Sequence, residues 1–290
     1  MHSRNENLRL NSDHVQRRFD RAAPRFDSAD FVHSVTRDGL LSRLQPMAIT
    51  PRTVLDLGSA TGAGTRLLAR RFRRAHIIAT DLSRRMLEQS VRKKSWFSRT
   101  SAIQARAEAL PFADQSIDVV FANMLLPWLG DPTGPFTEVA RVLSKNGLFA
   151  FATLGPDSLD ELRCAWHDVD GGVHVARFLD MHDIGDAAVR AGLRDPVLDV
   201  DRLSVTYKSA ATLFQDLTAI GGRNTLQQRR RSLGGAGLVK AMADALDAQR
   251  QDGLLTLNLE LVYGHCWGGG ARAPEGEHRI APGEIRHRNR

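Results

Sequence analysis

Val54-Leu55-Asp56-Leu57-Gly58-Ser59-Ala60-Thr61-Gly62-Ala63-Gly64 is the stretch that decides the fold. An apolar strand pattern runs straight into a glycine-bearing turn, and helical spacing follows across Gly64–Arg73. Glycines at such a turn let the backbone approach a ligand at the carboxyl edge of a parallel sheet. Alone, a turn of this kind is weak evidence. The next apolar run strengthens it, because Ile77-Ile78-Ala79-Thr80-Asp81-Leu82 ends in a carboxylate placed to accept hydrogen bonds from both hydroxyls of a ribose. An acid ending an apolar strand is otherwise expensive to keep there. Asp56 has a plainer alternative, as an inward strand residue satisfied by backbone donors.

Working outward, short apolar strands alternate with helices across residues 51–155, the pattern of a parallel sheet covered on both faces. Strands are expected over His76–Leu82, Ser101–Ala107, Ile117–Met124 and Leu148–Leu154, with helices over Ser83–Lys93 and Pro135–Leu143. Ser83 fits an N-cap. Residues 1–50 form a polar N-terminal helical segment. Residues 156–267 read as lid helices with the last two strands, Val197–Tyr207 and Leu254–Trp267. Helices are expected there over Asp157–Val169, Asp180–Ala191 (stopped by Gly192) and Ala210–Ile220, the last carrying a packing stripe of Leu213, Phe214, Leu217 and Ile220. From Gly268 to Arg290 almost nothing is apolar, so a disordered tail is expected.

A chain of 290 residues with 42% hydrophobic and 25% charged residues buries a full core without staples. Two cysteines exclude a disulfide scaffold, and Cys164 with His167 offers too few ligands for a metal site, so no metal is expected. No apolar run is long enough for a membrane span, and the start lacks a signal-peptide core, so a cytoplasmic protein is expected. The net charge of +7 is concentrated: Arg66 to Arg99 holds eleven Arg or Lys against Asp81 and Glu88 alone, leaving the rest slightly acidic. That run is either a solvated pair of helix faces or a docking surface for an acidic partner. No recognisable nucleic-acid module accompanies it, so no nucleic-acid partner is expected.

The turn, the acid ending the second strand, Ala107-Glu108-Ala109-Leu110-Pro111-Phe112 and the strand Ile117-Asp118-Val119-Val120-Phe121-Ala122-Asn123 together resemble the class I S-adenosylmethionine-dependent methyltransferases. The resemblance implies a Rossmann-like, seven-stranded, mostly parallel α/β sheet with a helical insertion as a lid. It implies S-adenosylmethionine as cofactor, held by Asp56, Gly58, Ser59, Ala60, Gly62, Asp81, Leu82, Met86, Ala107, Glu108 and Asn123. Two positions depart from the pattern: Ala60 replaces the central glycine, and Arg106 stands where an acid is usual.

Val15–Asp27, Phe149–Leu162, His174–Leu179 and Leu213–Leu217 with Gly221-Gly222 are similar to the malonyl-acyl-carrier-protein O-methyltransferases of biotin synthesis, with Phe26 where a tyrosine is common. This narrower resemblance implies methylation of the free carboxylate of a malonyl group carried by acyl carrier protein, or by coenzyme A, at the start of the pimeloyl branch. An ionised carboxylate needs no general base; it needs alignment and partial removal of water. Arg177 is the candidate for holding that carboxylate, since arginine offers a planar fork, and a surface arginine is its plain alternative. Trp128 is either a pocket wall or core. Arg84, Arg85, Lys93 and Lys94 are candidate carrier-docking residues, with Arg177, Arg223 and Arg229–Arg231 as the other option. Competing readings are a methyltransferase-like protein arginine hydroxylase or assembly factor, another small-molecule methyltransferase, and a silent donor-binding protein.

Overall fold

The computed structural model describes residues 10–95, 98–222, 236–250 and 252–269. The expected tail beyond Gly269, and Arg223 and Arg229–Arg231, lie outside these. The elements run α1 (Ser12–Ala22), α2 (Phe31–Leu44), β1 (Thr53–Leu57), α3 (Ala63–Arg71), β2 (His76–Asp81), α4 (Arg84–Arg92), β3 (Thr100–Gln104), β4 (Ile117–Asn123), α5 (Thr133–Val142), β5 (Leu143–Leu154), α6 (Asp160–Asp170), α7 (Met181–Arg190), β6 (Leu193–Tyr207), α8 (Ala210–Ala219), α9 (Ala236–Asp247) and β7 (Leu255–Gly268).

The seven strands lie in the order β3-β2-β1-β4-β5-β7-β6. Strands β1 to β5 pair in parallel, and β7 runs antiparallel to both β5 and β6. From β1 the chain moves outward to β2 and β3, then returns to lay β4 on the other side of β1. Such a reversal opens a crevice at the carboxyl ends of the two central strands.

Alternation along each strand builds two cores. Leu55, Leu57, Val120, Ala122, Phe149 and Phe151 face one layer, where α5 and α7 add Phe136, Val139, Ile184 and Ala188. Val54, Ile77, Val119, Phe121, Leu148 and Ala150 face the other, against Leu40, Leu44 and Leu68 of α2 and α3. Asp118 anchors the entry to β1, accepting from the backbone N–H groups of Arg52 (2.7 Å) and Thr53 (3.0 Å). Ser83 caps α4 through Met86 N–H at 3.1 Å. Arg43 ties α2 to the sheet by pairing with Asp199 and Asp201 while lying 3.7 Å over the Tyr263 ring.

Several expected boundaries shift. The third strand stops at Gln104, not Ala107, because the chain turns there and Arg106 bridges Ala109. The helix expected from Asp157 begins at Asp160, since Ser158 hydrogen-bonds Glu260 O (3.1 Å) and Leu159 takes a left-handed φ of 63°. The fifth strand begins at Leu143, since Leu143 already pairs with Ile117 before the register shift. Helix α9 was not expected; with α6 and α8 it encloses a third core of Leu162, Leu213, Met242, Leu246 and Leu257. The Leu213 stripe is packing, as expected.

Gly62 adopts φ +80°, and a Cβ there would lie 2.1 Å from Ser90 Oγ. Gly171 (φ +64°) has open space around it. Gly62→Ala is expected to cost ~3 kcal/mol, combining overpacking with left-handed strain, and Gly171→Ala ~1 kcal/mol from strain alone. Urea denaturation of both variants checks this; equal losses would mean that Ser90 yields.

Candidate functional site

The crevice takes shape at the turn after β1. Gly58, Ala60 and Gly62 all have positive φ (77°, 46° and 80°), which folds the backbone N–H groups back toward β2. Gly58 and Ser59 N–H both donate to Thr80 O (2.8 and 3.0 Å). Ala60 N–H donates to Asp81 Oδ2 at 2.9 Å, and Ser83 N–H to Oδ1 at 2.8 Å. Asp81 thus joins the turn to the start of α4 and keeps lone pairs for a ligand. Burial pushes its carboxyl up to about 6, with Asp20 adding to the rise against the backbone donors. Asp56 is enclosed below the turn and accepts from Thr65 Oγ1 at 2.6 Å. Burial raises it too, to about 6, with Asp81 contributing. The Thr65 backbone donates to it as well, so the plain alternative of an inward strand residue met by backbone donors holds in part.

A cleft of about 1110 Å³, its mouth included, gathers Asp56, Gly58, Ser59, Ala60, Asp81, Leu82, Ala107, Glu108 and Asn123. Two expected residues stand outside its lining. Met86 is fully buried with Ala22, Ala23 and Phe26, so it joins α4 to the N-terminal segment. Gly62 lies behind the turn, against Ser90. Arg177 is exposed and lines a smaller neighbouring pocket with Leu126, Pro127, Thr153 and Leu154, which shares Leu10 with the main cleft. Trp128 walls the cleft, its ring edge-on to Phe19 with centroids 4.9 Å apart.

The roof is built of residues that the motifs gave no role at the site, although Phe19 and Phe26 stand in the Val15–Asp27 segment that carries the narrower resemblance. Phe19, Phe26, His33 and Arg37 all line the cleft, and α1 is latched over it. Asp20 accepts from Ser83 Oγ (2.6 Å), while Asp27 receives Thr61 Oγ1 and the Lys93 ammonium. Burial works to raise the Asp27 carboxyl, but those two partners outweigh it and leave it below the usual range. These residues lie far from the glycine turn in sequence, and helical periodicity marks packing without telling roof from core.

Among the described residues, several side-chain atoms buried without a hydrogen-bond partner meet in this cleft: Ser59 Oγ, Thr80 Oγ1, Asn123 Oδ1, His33 Nδ1 and Arg37 Nε. Buried polar groups are normally paired, so such a gathering marks a polar ligand. With a carboxylate for a diol, an apolar wall and unpaired donors and acceptors, the cleft fits a nucleoside bearing an amino-acid arm.

The basic run lies elsewhere. Arg66, Arg70, Arg73, Lys93, Lys94 and Arg99 line a groove between α3 and α4 over β2 and β3, on the half of the sheet away from Arg177. Lys93 is engaged by Asp27, Arg84 by Glu88 and Lys94 by Thr100 O. The geometry disfavours Arg84, Arg85, Lys93 and Lys94 as the route for a substrate entering near Arg177.

Asp56 and Asp81 set a pH dependence with a definite sign. Their folded values stand above the ordinary 3.8, at about 6, so the native state holds protons that the unfolded chain has released. The ligand-free protein is therefore expected to lose stability as pH rises through that window. Asp81→Asn should flatten the fall, read as the urea midpoint against pH.

A family profile described as a methyltransferase domain matches residues 55–151. A malonyl-(acyl-carrier protein) O-methyltransferase of Methylovorus sp. (strain MP688) is 40% identical over 282 residues, covering 94% of each chain. The protein of the same name from Laribacter hongkongensis is 42% identical over 266 residues, 89% of this chain and 90% of its own. Among solved structures, the YcgJ protein of Bacillus subtilis superposes with a TM-score of 0.58 at 16% identity, over 81% of this chain and 99% of that one. A putative methyltransferase of Bacillus halodurans gives 0.57 at 15%, over 81% and 100%. The structural likenesses establish the fold, a Rossmann-like, mostly parallel α/β sheet. Taken with the near full-length identity, they mean that the chain belongs to the malonyl-(acyl-carrier protein) O-methyltransferase family.

Proposed function

We propose that the protein transfers a methyl group from S-adenosylmethionine to the free carboxylate of a malonyl thioester on acyl carrier protein, priming the pimeloyl branch of biotin synthesis. The observation that carries this reading is 40% identity to a relative of that name over 94% of the chain. The cleft supports it. When bound, the donor supplies an electrophilic methyl group on a sulfonium.

The chain's own residues need do little covalent work. Asp81, at the carboxyl end of β2, would take the ribose hydroxyls, and the turn from Gly58 to Ala60 would face the ligand beside it. Phe19, Phe26, Leu125 and Trp128 exclude water from the space where the acceptor would sit. A malonyl carboxylate is already anionic at neutral pH, so removing part of its hydration and fixing its approach supply the catalysis. His33, held near 4 by burial and by the Arg37 charge, stays neutral and adds no competing cation. Arg177, in the pocket that abuts the cleft, is suited to meet the incoming carboxylate. Methylation cancels the acceptor's charge, so the same arginine loses its hold on the ester and favours release.

No described helix is long and apolar enough to cross a membrane. The reading places the enzyme in the cytoplasm, with acyl carrier protein or malonyl-coenzyme A as substrate carrier, and gives it no nucleic-acid partner.

Mass spectrometry of malonyl-acyl carrier protein incubated with the donor should show the acyl group heavier by one CH2, and acetyl-acyl carrier protein should show no gain. Donor binding without any gain on the malonyl group would overturn the reading. Arg177→Ala should raise KM for malonyl-acyl carrier protein ~10-fold or more, the worth of one charge-assisted contact, with donor affinity unchanged. Steady-state kinetics paired with calorimetry measures both.

A further inference from the structure

We propose that Trp166, Asp170 and His174 form a clamp that aims Arg177 at the methyl acceptor, which makes His174 a positioning residue of the reaction. This rests on the reading of Arg177 as the group that meets the malonyl carboxylate.

Arg177 stands in a stretch without helix or strand, residues 171–180, between α6 and α7. Its side chain is exposed, and no hydrogen bond or ion pair to another described residue holds the guanidinium. The course of the backbone therefore decides where the fork points. Two glycines open the stretch where α6 ends, and Gly171 takes φ +64° with open space around it. Downstream the course is set by apolar packing, Phe178 against the layer of α2 and α3 and Leu179 against that of α5 and α7. Apolar burial is non-directional, so it leaves the aim of Arg177 to a tie on the upstream side.

The clamp is that tie. Trp166 and Asp170 are four residues apart on α6, neighbours on one face. The helix is itself anchored, with Leu162 and Ala165 buried in the third core. The His174 ring stacks on the Trp166 indole, centroids 3.8 Å apart and planes 15° from parallel. Its Nε2 meets both oxygens of Asp170, at 2.9 and 3.0 Å. An ionised carboxylate only accepts, so Nε2 carries the proton and donates. Asp170 also accepts from Gly172 N–H at 2.8 Å. The His174 and Asp170 side chains are 17% and 9% exposed, so water competes little for these bonds.

Stacking sets the plane of the imidazole and the forked bond sets its direction. The stretch is thereby seated three residues before Arg177, and Val175 continues the contact by packing on the third core. Gly172 is enclosed by the clamp: a Cβ there would lie 2.9 Å from Asp170 Oδ1 and 3.0 Å from His174 Nε2. Trp166, Asp170 and His174 line neither the cleft nor the pocket of Arg177, so they act through Arg177 and not on the acceptor.

Kinetics of the full chain with malonyl-acyl carrier protein separate this assignment from a merely structural role. His174→Ala should raise KM ~3- to 10-fold, leave the calorimetric affinity for S-adenosylhomocysteine unchanged, and add nothing in an Arg177→Ala background. His174→Gln, whose amide can still donate to Asp170, should recover part of the loss. Gly172→Ala keeps every core residue in place and should raise KM in the same way, by parting Asp170 from His174. Unchanged KM in His174→Ala, or a loss that multiplies with that of Arg177→Ala, would overturn the proposal. If Arg177→Ala itself leaves KM unchanged, the reading of Arg177 fails and takes the clamp with it, an outcome distinct from failure of the clamp beside a working Arg177.

Discussion

The site depends on one carboxylate bonded on both sides. Asp81 accepts from Ala60 N–H with one oxygen and from Ser83 N–H with the other. The first bond closes the turn after β1 onto β2; the second holds the start of α4 against the end of its own strand. Three elements that meet at the sheet's reversal are thereby locked through a group that burial alone would rather neutralise. On the proposed reading, ribose hydroxyls would add donors to an acid already short of solvent, and hydrogen bonds to the charged form favour it.

Much of this was legible in the chain because the relevant physics is local. Val54 to Leu57 and Ile77 to Ala79 announce buried strands, and a carboxylate ending such a strand is too costly to be incidental. Ala60 shows the limit of motif logic. It occupies the place of a glycine and adopts φ 46°, so the turn carries a side chain in the left-handed region at a cost in strain. Met86 shows a different limit. The resemblance put it among the residues that hold the cofactor, yet its side chain packs against Ala22, Ala23 and Phe26 and does not line the cleft.

The placement of the roof over the cleft was illegible for a physical reason, although its Val15–Asp27 segment carried a resemblance. Phe19, Phe26, His33 and Arg37 reach the cleft only because α1 and α2 cross the mouth of the sheet, an arrangement set by contacts distant in sequence. The pairs that hold it, Asp20 with Ser83 and Asp27 with Thr61 and Lys93, involve ordinary polar residues whose composition gives no hint of partnership. The matched methyltransferase segment, residues 55–151, covers the floor and none of these roof residues. Binding chemistry common to many folds of this type is thus written in the floor, and what distinguishes this one is written in front of it.

Helix α1 and the turn after it are joined to the floor by a few polar bonds and the small apolar cluster of Ala22, Ala23, Phe26 and Met86, while α2 shares a continuous core with the sheet. Elements with few buried contacts open at lower free energy than the units they cover. The chain therefore has a weak seam running along the rim of its own binding cleft. Parting that seam costs less than opening the sheet, and Asp20 and Asp27 are the polar groups on which its strength rests.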